Sequence, residues 1–189
     1  MDIEVLNERI KQCRDCEGLN QEATPGREAT LNAPGYGDIS SNVVIIGQSL
    51  CGDPCINSQI PFTDGCGVLL DDAFENAGVN KNQLYITNIV KCHPPGNRKS
   101  KAHEKRNCRK YLVQELTYLS PTAIICLGGD ARDHFDKHAK AETSKEILLN
   151  NKNVKIHFLH HPQYIKQWKR KETDNYVDSI STIIKSSIA

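Results

Sequence analysis

The sequence predicts an α/β fold, three-layer α/β/α, with helices on both faces of a central four-stranded parallel sheet. Three observations carry this. Four short apolar runs are rich in β-branched residues, a helical candidate lies between each run and the next, and 189 residues suffice for one ordinary core. A single domain over residues 1–189 is therefore expected.

Taken in order, Ile3, Leu6 and Ile10 recur at helical spacing near the N-terminus. Residues 20–41, with Pro25, Gly26, Pro34, Gly35 and Gly37, read as a long loop. The first strand is 42–47, "NVVIIG", followed by a helix over 67–78 that stops near Gly78. The second strand is 83–90, "QLYITNIV", and the next helix, 102–119, ends before Pro121. After the third strand, 122–128, "TAIICLG", two helices are expected over 129–139 and 143–150. The fourth strand is 154–159, "VKIHFL", and a last helix covers 173–187. No internal repeat or low-complexity segment interrupts this alternation.

Hydrophobic residues are 38% and charged residues 25%, a globular composition, and no apolar run approaches the roughly 18 residues that span a bilayer. A soluble chain without membrane contact is expected. The N-terminal stretch is acidic and helical in period, unlike a signal or transit peptide, so the expected address is cytoplasmic. Net charge is only +1, so any contact with nucleic acid must come from local patches.

Eight cysteines in a cytoplasmic chain argue against structural disulfides. Cys13 and Cys16 form a C-x2-C pair, and Cys92 and Cys108 bracket a basic stretch with fifteen residues between them. Four thiolates from distant segments suit tetrahedral zinc or a 4Fe-4S cluster, and spacing does not separate the two. Cys51, Cys55 and Cys66 are expected to pack as small hydrophobes, a second metal being the alternative, and Cys126 to sit in the core.

In such a sheet, sites collect at the carboxyl ends of the strands. That rule gathers "GQSLCGDPC" (47–55), "IPFTDGCG" (60–67), Asn88 with the basic stretch that follows it, and "HHPQYIKQWKRK" (160–171) at one end.

These segments resemble the family 4, iron–sulfur uracil-DNA glycosylases of bacteria and archaea. The family pattern of an N-terminal C-x2-C, "PFVG.AG", "YITN.VKC.PPGNR", a further cysteine and a late "HP" is met by Cys13 and Cys16, "PFTDGCG", "YITNIVKCHPPGNR", Cys108 and "HHPQ". The resemblance spans nearly the whole chain. It implies a 4Fe-4S cluster on Cys13, Cys16, Cys92 and Cys108, acting as a staple and not as the reaction centre. Damaged DNA carrying uracil or another deaminated base becomes the expected partner, and the chain is expected to act as a monomer.

The same resemblance assigns roles. A glycosylase flips the nucleotide out of the stack and breaks the bond between base and sugar. Phe62 would stack on the flipped base, and Asn88 would donate to one edge group and accept from another. His161, and not the adjacent His160, would donate to the departing base. Arg98, Lys99 and Lys101 would follow the phosphate backbone, as would Lys166, Lys169 and Arg170, while Tyr164 and Ile165 are candidate wedges into the stack. Lys105, Arg106 and Lys110 are equally well read as the solvated face of a helix.

The chain departs from the family at its first motif. Gly-Glu-Ala-Pro-Gly is replaced by Gly47, Gln48, Ser49, Leu50 and Cys51, with one extra residue before Pro61. Asp53 is the single carboxylate between Gly47 and Phe62, which makes it the candidate for positioning water or stabilising the sugar cation. Gln48 and Ser49 remain able to touch the base through their backbone. Two outcomes follow: a hydrolase for uracil or a related deaminated base, or a DNA-binding homologue with weakened or altered catalysis.

Overall fold

The computed structural model describes residues 2–188, with the side chain of Cys66 outside that description. Helix α1 (Ile3–Lys11) opens with the Asp2 carboxylate accepting from the Glu4 N–H, which satisfies one of the free donors of the first turn, and buries Ile3, Leu6 and Ile10. The segment expected to be a plain loop contains β1 (Tyr36–Gly37), a two-residue edge strand. Strand β2 (Val43–Ser49) leads to a short helix, α2 (Asp53–Ser58), which starts with Pro54 in its first turn. Helix α3 (Val68–Ala77) ends on Gly78 at φ 74°, a left-handed cap. Then come β3 (Tyr85–Val90), α4 (Ala102–Leu119), β4 (Ala123–Leu127) and α5 (Gly129–Phe135). The chain closes with β5 (Thr143–Leu149), β6 (Lys152–Leu159), α6 (Pro162–Trp168) and α7 (Thr173–Ile188).

The sheet has six strands in the order β1-β3-β2-β4-β6-β5. Its inner four, β3, β2, β4 and β6, are parallel and are the four expected strands. Both edges are antiparallel additions, β1 on β3 and β5 on β6, so a purely parallel four-stranded sheet is corrected to a mixed one.

The helix expected over 143–150 is strand β5. Its burial alternates, with Lys145, Ile147 and Leu149 half-buried and Glu146 and Leu148 exposed. Asn150 and Asn151 turn the chain at φ 51° and 61°, the two-residue geometry that suits a tight hairpin. The neighbouring helix stops at Phe135 and not at 139, where Asp136 takes an extended conformation and pairs with Lys145 at 2.8 Å.

Helices cover both faces. Val44, Ile46, Ile124 and Cys126 point to the layer formed by α1, α4 and α5, whereas Val43, Ile45, Ile125 and Leu127 point to α3, α6 and α7. This strict alternation turns near-continuous apolar strands into two cores. A buried polar group ties α4 to the sheet. Lys91 Nζ lies 2.5 Å from Glu115 Oε2, with Thr87 and Tyr85 hydroxyls donating to the same carboxylate. Among the described residues, no helix is long and apolar enough to cross a membrane.

Candidate base-binding cleft and thiol cluster

The strand ends build the cleft. In register, Gly47 on β2 lies beside Asn88 on β3, so a residue without a side chain flanks the carboxamide. A Cβ at Gly47 would come within 2.4 Å of Asn88 Oδ1 and 2.6 Å of Phe62 Cζ, so only glycine leaves this space open. The cleft measures about 510 Å³ and is walled by Gln48, Ser49, Phe62, Asn88 and His161, with Asp64 on its rim.

Each wall is held for a physical reason. Asn88 is 4% exposed, yet its Oδ1 has no hydrogen-bond partner among the described residues. A buried acceptor left alone costs about 1–3 kcal/mol, a cost that a bound donor would remove. Phe62 sits at φ 56° with its carbonyl accepting from Lys81 Nζ at 2.7 Å, which fixes the ring opposite His161 at a centroid distance of 5.8 Å. His161 is the N-cap of α6, and its Nδ1 accepts from the Gln163 N–H at 3.1 Å. An accepting Nδ1 leaves the proton on Nε2. Burial holds this imidazole at about 4, so at neutral pH it is an uncharged donor.

Other expected site residues stand elsewhere. Asp53 is exposed in the first turn of α2 and is not among the residues that wall the cleft. His160 is turned away, stacked on Tyr164 at 4.6 Å and 3.7 Å from Glu142. Ile165 is 1% exposed, so it is a core residue and not a wedge, while Tyr164 is exposed. Lys166 donates to the Gly65 carbonyl at 2.8 Å, Lys169 pairs with Glu172, and Arg170 Nε donates to the Lys166 carbonyl. Sequence reasoning missed Asp64, Asn97 and Gln163 on the cleft wall and Lys81 behind Phe62. "PPGN" and "HPQ" stood in the motifs, but only the fold turns those side chains toward Asn88.

Expected reduced, Cys51 and Cys55 are instead joined as a disulfide across a sequence separation of 4, from the residues before α2 into its first turn, with Cys51 on the cleft wall. Cys55 Sγ also accepts from the Thr63 N–H at 3.4 Å, which ties α2 to the loop that carries Phe62. The packing expected of Cys66 lies outside the described side chains. Cys126 is fully buried in β4.

Cys13, Cys16, Cys92 and Cys108 are all unpaired thiols. They converge because Asn20 and Asn32 donate to carbonyls at the end of α1 and to that of Cys13, and because Asn32 bridges to Cys92. Burial raises the thiols of Cys16, Cys92 and Cys108, the last to about 11, and the charge of neighbouring cysteines adds to each shift. Among the described residues, no three His, Cys, Asp or Glu side chains are close enough to grip a single metal ion. The four cysteines feel one another's charge, with the Asp15 carboxylate and the Tyr111 hydroxyl against Cys13, and soft sulfur donors of this kind are the ligands that iron–sulfur clusters use.

The basic stretch is partly committed within the chain. Arg98 makes a two-pronged pair with buried Glu104, at 2.6 and 3.1 Å, and Lys105 and Lys110 pair with Asp130 and Asp15. Lys99 and Lys101 project into solvent.

Residues 34–184 match the Uracil DNA glycosylase superfamily. The chain belongs to that superfamily. Within the superfamily its resemblance is to the type-4 branch that the motifs indicated. A Type-4 uracil-DNA glycosylase of Pyrobaculum aerophilum is 36% identical over 129 residues, covering 68% of this chain and 61% of the relative. One of Thermotoga maritima is 28% identical over 176 residues, covering 90% and 86%. The matched stretch thus spans about three fifths of the Pyrobaculum protein's length. The crystal structure of wild-type Pedobacter heparinus SMUG2 superposes with a TM-score of 0.51 at 18% identity, over 78% of this chain and 76% of that one, a likeness of fold.

Proposed function

We propose that residues 1–189 act as one glycosylase unit that removes uracil or a related deaminated base from DNA. The observation that carries this is the Oδ1 of Asn88, without a partner among the described residues and buried in the same cleft as Phe62 and the uncharged His161. A flipped pyrimidine stacked against Phe62 would offer its ring N–H to Asn88 Oδ1 and a carbonyl to the Asn88 amide. As the bond to the sugar breaks, negative charge grows on the base, and Nε2–H of His161 donates to it. Because that hydrogen bond strengthens only as charge develops, it lowers the barrier more than it tightens binding.

We assign a 4Fe-4S cluster to Cys13, Cys16, Cys92 and Cys108, with a structural role. When bound it would cross-link α1, the end of β3 and α4, and take no part in base release. It would thereby hold the 91–108 stretch so that Lys99 and Lys101 meet phosphates, with Lys166 and Tyr164 flanking the cleft. Arg98 would support this surface through Glu104 and reach DNA with the remainder of its guanidinium. The four cluster thiols suit a reducing cytoplasm, which the Cys51–Cys55 disulfide does not, and a monomer suffices because one chain supplies each of the described cleft residues.

Base release from oligonucleotides carrying uracil, hypoxanthine or xanthine tests the reading. Release of at least one base above a His161→Ala control is expected. DNA binding with no release would favour the weakened homologue, for which the replaced Gly47–Cys51 motif is the motivating feature.

A further inference from the structure

We propose that Asp64 is the carboxylate that orders and deprotonates the attacking water, a role that rests on the glycosylase reading above. Asp64 is the one carboxylate among the described residues that wall the cleft. It holds φ 54° and ψ −168°, a conformation that belongs almost wholly to glycine, and the family pattern has glycine at this position. An aspartate kept in such a conformation without a local benefit would be an odd choice. The usual local benefit is missing, since Asp64 precedes the 3-10 turn Gly65–Gly67 but its side chain makes no capping bond.

The backbone on either side is clamped. Lys81 holds the Phe62 carbonyl at 2.7 Å, Lys166 holds the Gly65 carbonyl at 2.8 Å, and the Gly67 N–H donates to the Asp64 carbonyl at 2.7 Å. The loop is therefore pinned at three points while the carboxylate stays exposed on the cleft rim. That is a pre-organised acceptor for a water molecule facing the sugar of a nucleotide whose base lies between Phe62 and Asn88.

In the step assigned to it, the water oxygen forms a bond to the anomeric carbon as the bond from that carbon to the base nitrogen breaks. The electron pair leaves with the base, where His161 Nε2–H stabilises it. Asp64 takes the proton released by water and returns it to solvent, and the base anion is protonated from solvent. The products are the free base and an abasic sugar, with no other reactant needed.

Single-turnover base release is measured for Asp64→Asn and Asp64→Gly, alongside binding to DNA containing a non-hydrolysable 2′-fluoro nucleotide. Three results are expected together. Both variants slow roughly 10²-fold or more, the lower range for a positioned general base. Both bind the analogue as the parent does. Added formate restores part of the rate of Asp64→Gly, which a purely structural loss would not allow. Glycine suits this backbone better than aspartate, so a turn-forming role predicts full activity in Asp64→Gly. Absence of any of the three results overturns the proposal. A parent protein that releases none of the three bases removes the glycosylase reading and the proposal together, whereas an active parent with an indifferent Asp64 removes the proposal alone.

Discussion

The backbone N–H of Gln163 donates to Nδ1 of His161 at 3.1 Å, and that bond decides which ring nitrogen carries the proton. With Nδ1 occupied as an acceptor and burial holding the ring at about 4, Nε2–H faces the cleft uncharged.

One prediction concerns pH. The folded value of about 4 lies below the ordinary 6.5, so the unfolded chain binds the extra proton first as pH falls. Stability is complete above about 6.5 and declines as pH drops toward 4, with His134, also held near 4 by burial, contributing to the same window. His161 would cost about 3 kcal/mol at the acid end, and the more exposed His134 less, because solvent screens it. Thermal midpoints between pH 7.5 and 4.5 should fall accordingly, and a His161→Ala variant should show a shallower slope. The same variant should lose base release by roughly 10²-fold or more while keeping DNA affinity.

Replacing Asn88 by Asp places a carboxylate, which only accepts, against a uracil carbonyl. The mismatch leaves two acceptors opposed in a dry site and costs about 1–3 kcal/mol, which is at least a fivefold loss of uracil release. Facing cytosine, the new carboxylate would accept from the amino group, so a trace of cytosine release is the secondary expectation. Normal uracil excision by a folded Asn88→Asp protein would remove Asn88 from base reading.

Gly47→Ala should separate the cleft from the fold. The added methyl would meet Asn88 Oδ1 and the Phe62 ring inside the space assigned to the base, while the strand pairing needs no glycine there. Base release should drop by at least tenfold, in line with loss of a positioned binding site, with circular dichroism and iron content unchanged. Parent-like kinetics would place the base elsewhere.

Protein purified without oxygen should be brown and contain about four iron atoms per chain, as four-thiolate clusters do. Cys108→Ser should bleach it, lower its melting temperature, and expose the 91–108 stretch to limited proteolysis. Stoichiometric zinc in a colourless protein would replace the cluster with a different staple.

The sequence by itself determined the inner sheet, because four buried parallel strands must be almost continuously apolar and leave a signal that survives without context. It also determined which segments meet at the strand ends, since topology forces them there, and it supplied the motifs around Phe62, Asn88 and His161. The edges were illegible for the opposite reason. Strand β5 is half-exposed, with "KEILL" equally compatible with a helix, and its identity comes from pairing with β6 across the Asn150–Asn151 turn. Side-chain commitments were likewise decided only in three dimensions. Arg98 is drawn back to Glu104, six positions on, by the turn into α4, whereas Lys166 reaches the Gly65 carbonyl and Ile165 enters the core through partners far away in sequence. Asp53 and Asp64 make the same point. Eleven positions apart in sequence, they differ in that the exposed first turn of α2 carries one away from the cleft while a clamped, glycine-like turn sets the other on its rim. Composition and spacing register which charges exist; the direction in which each one points is fixed by backbone torsions and packing.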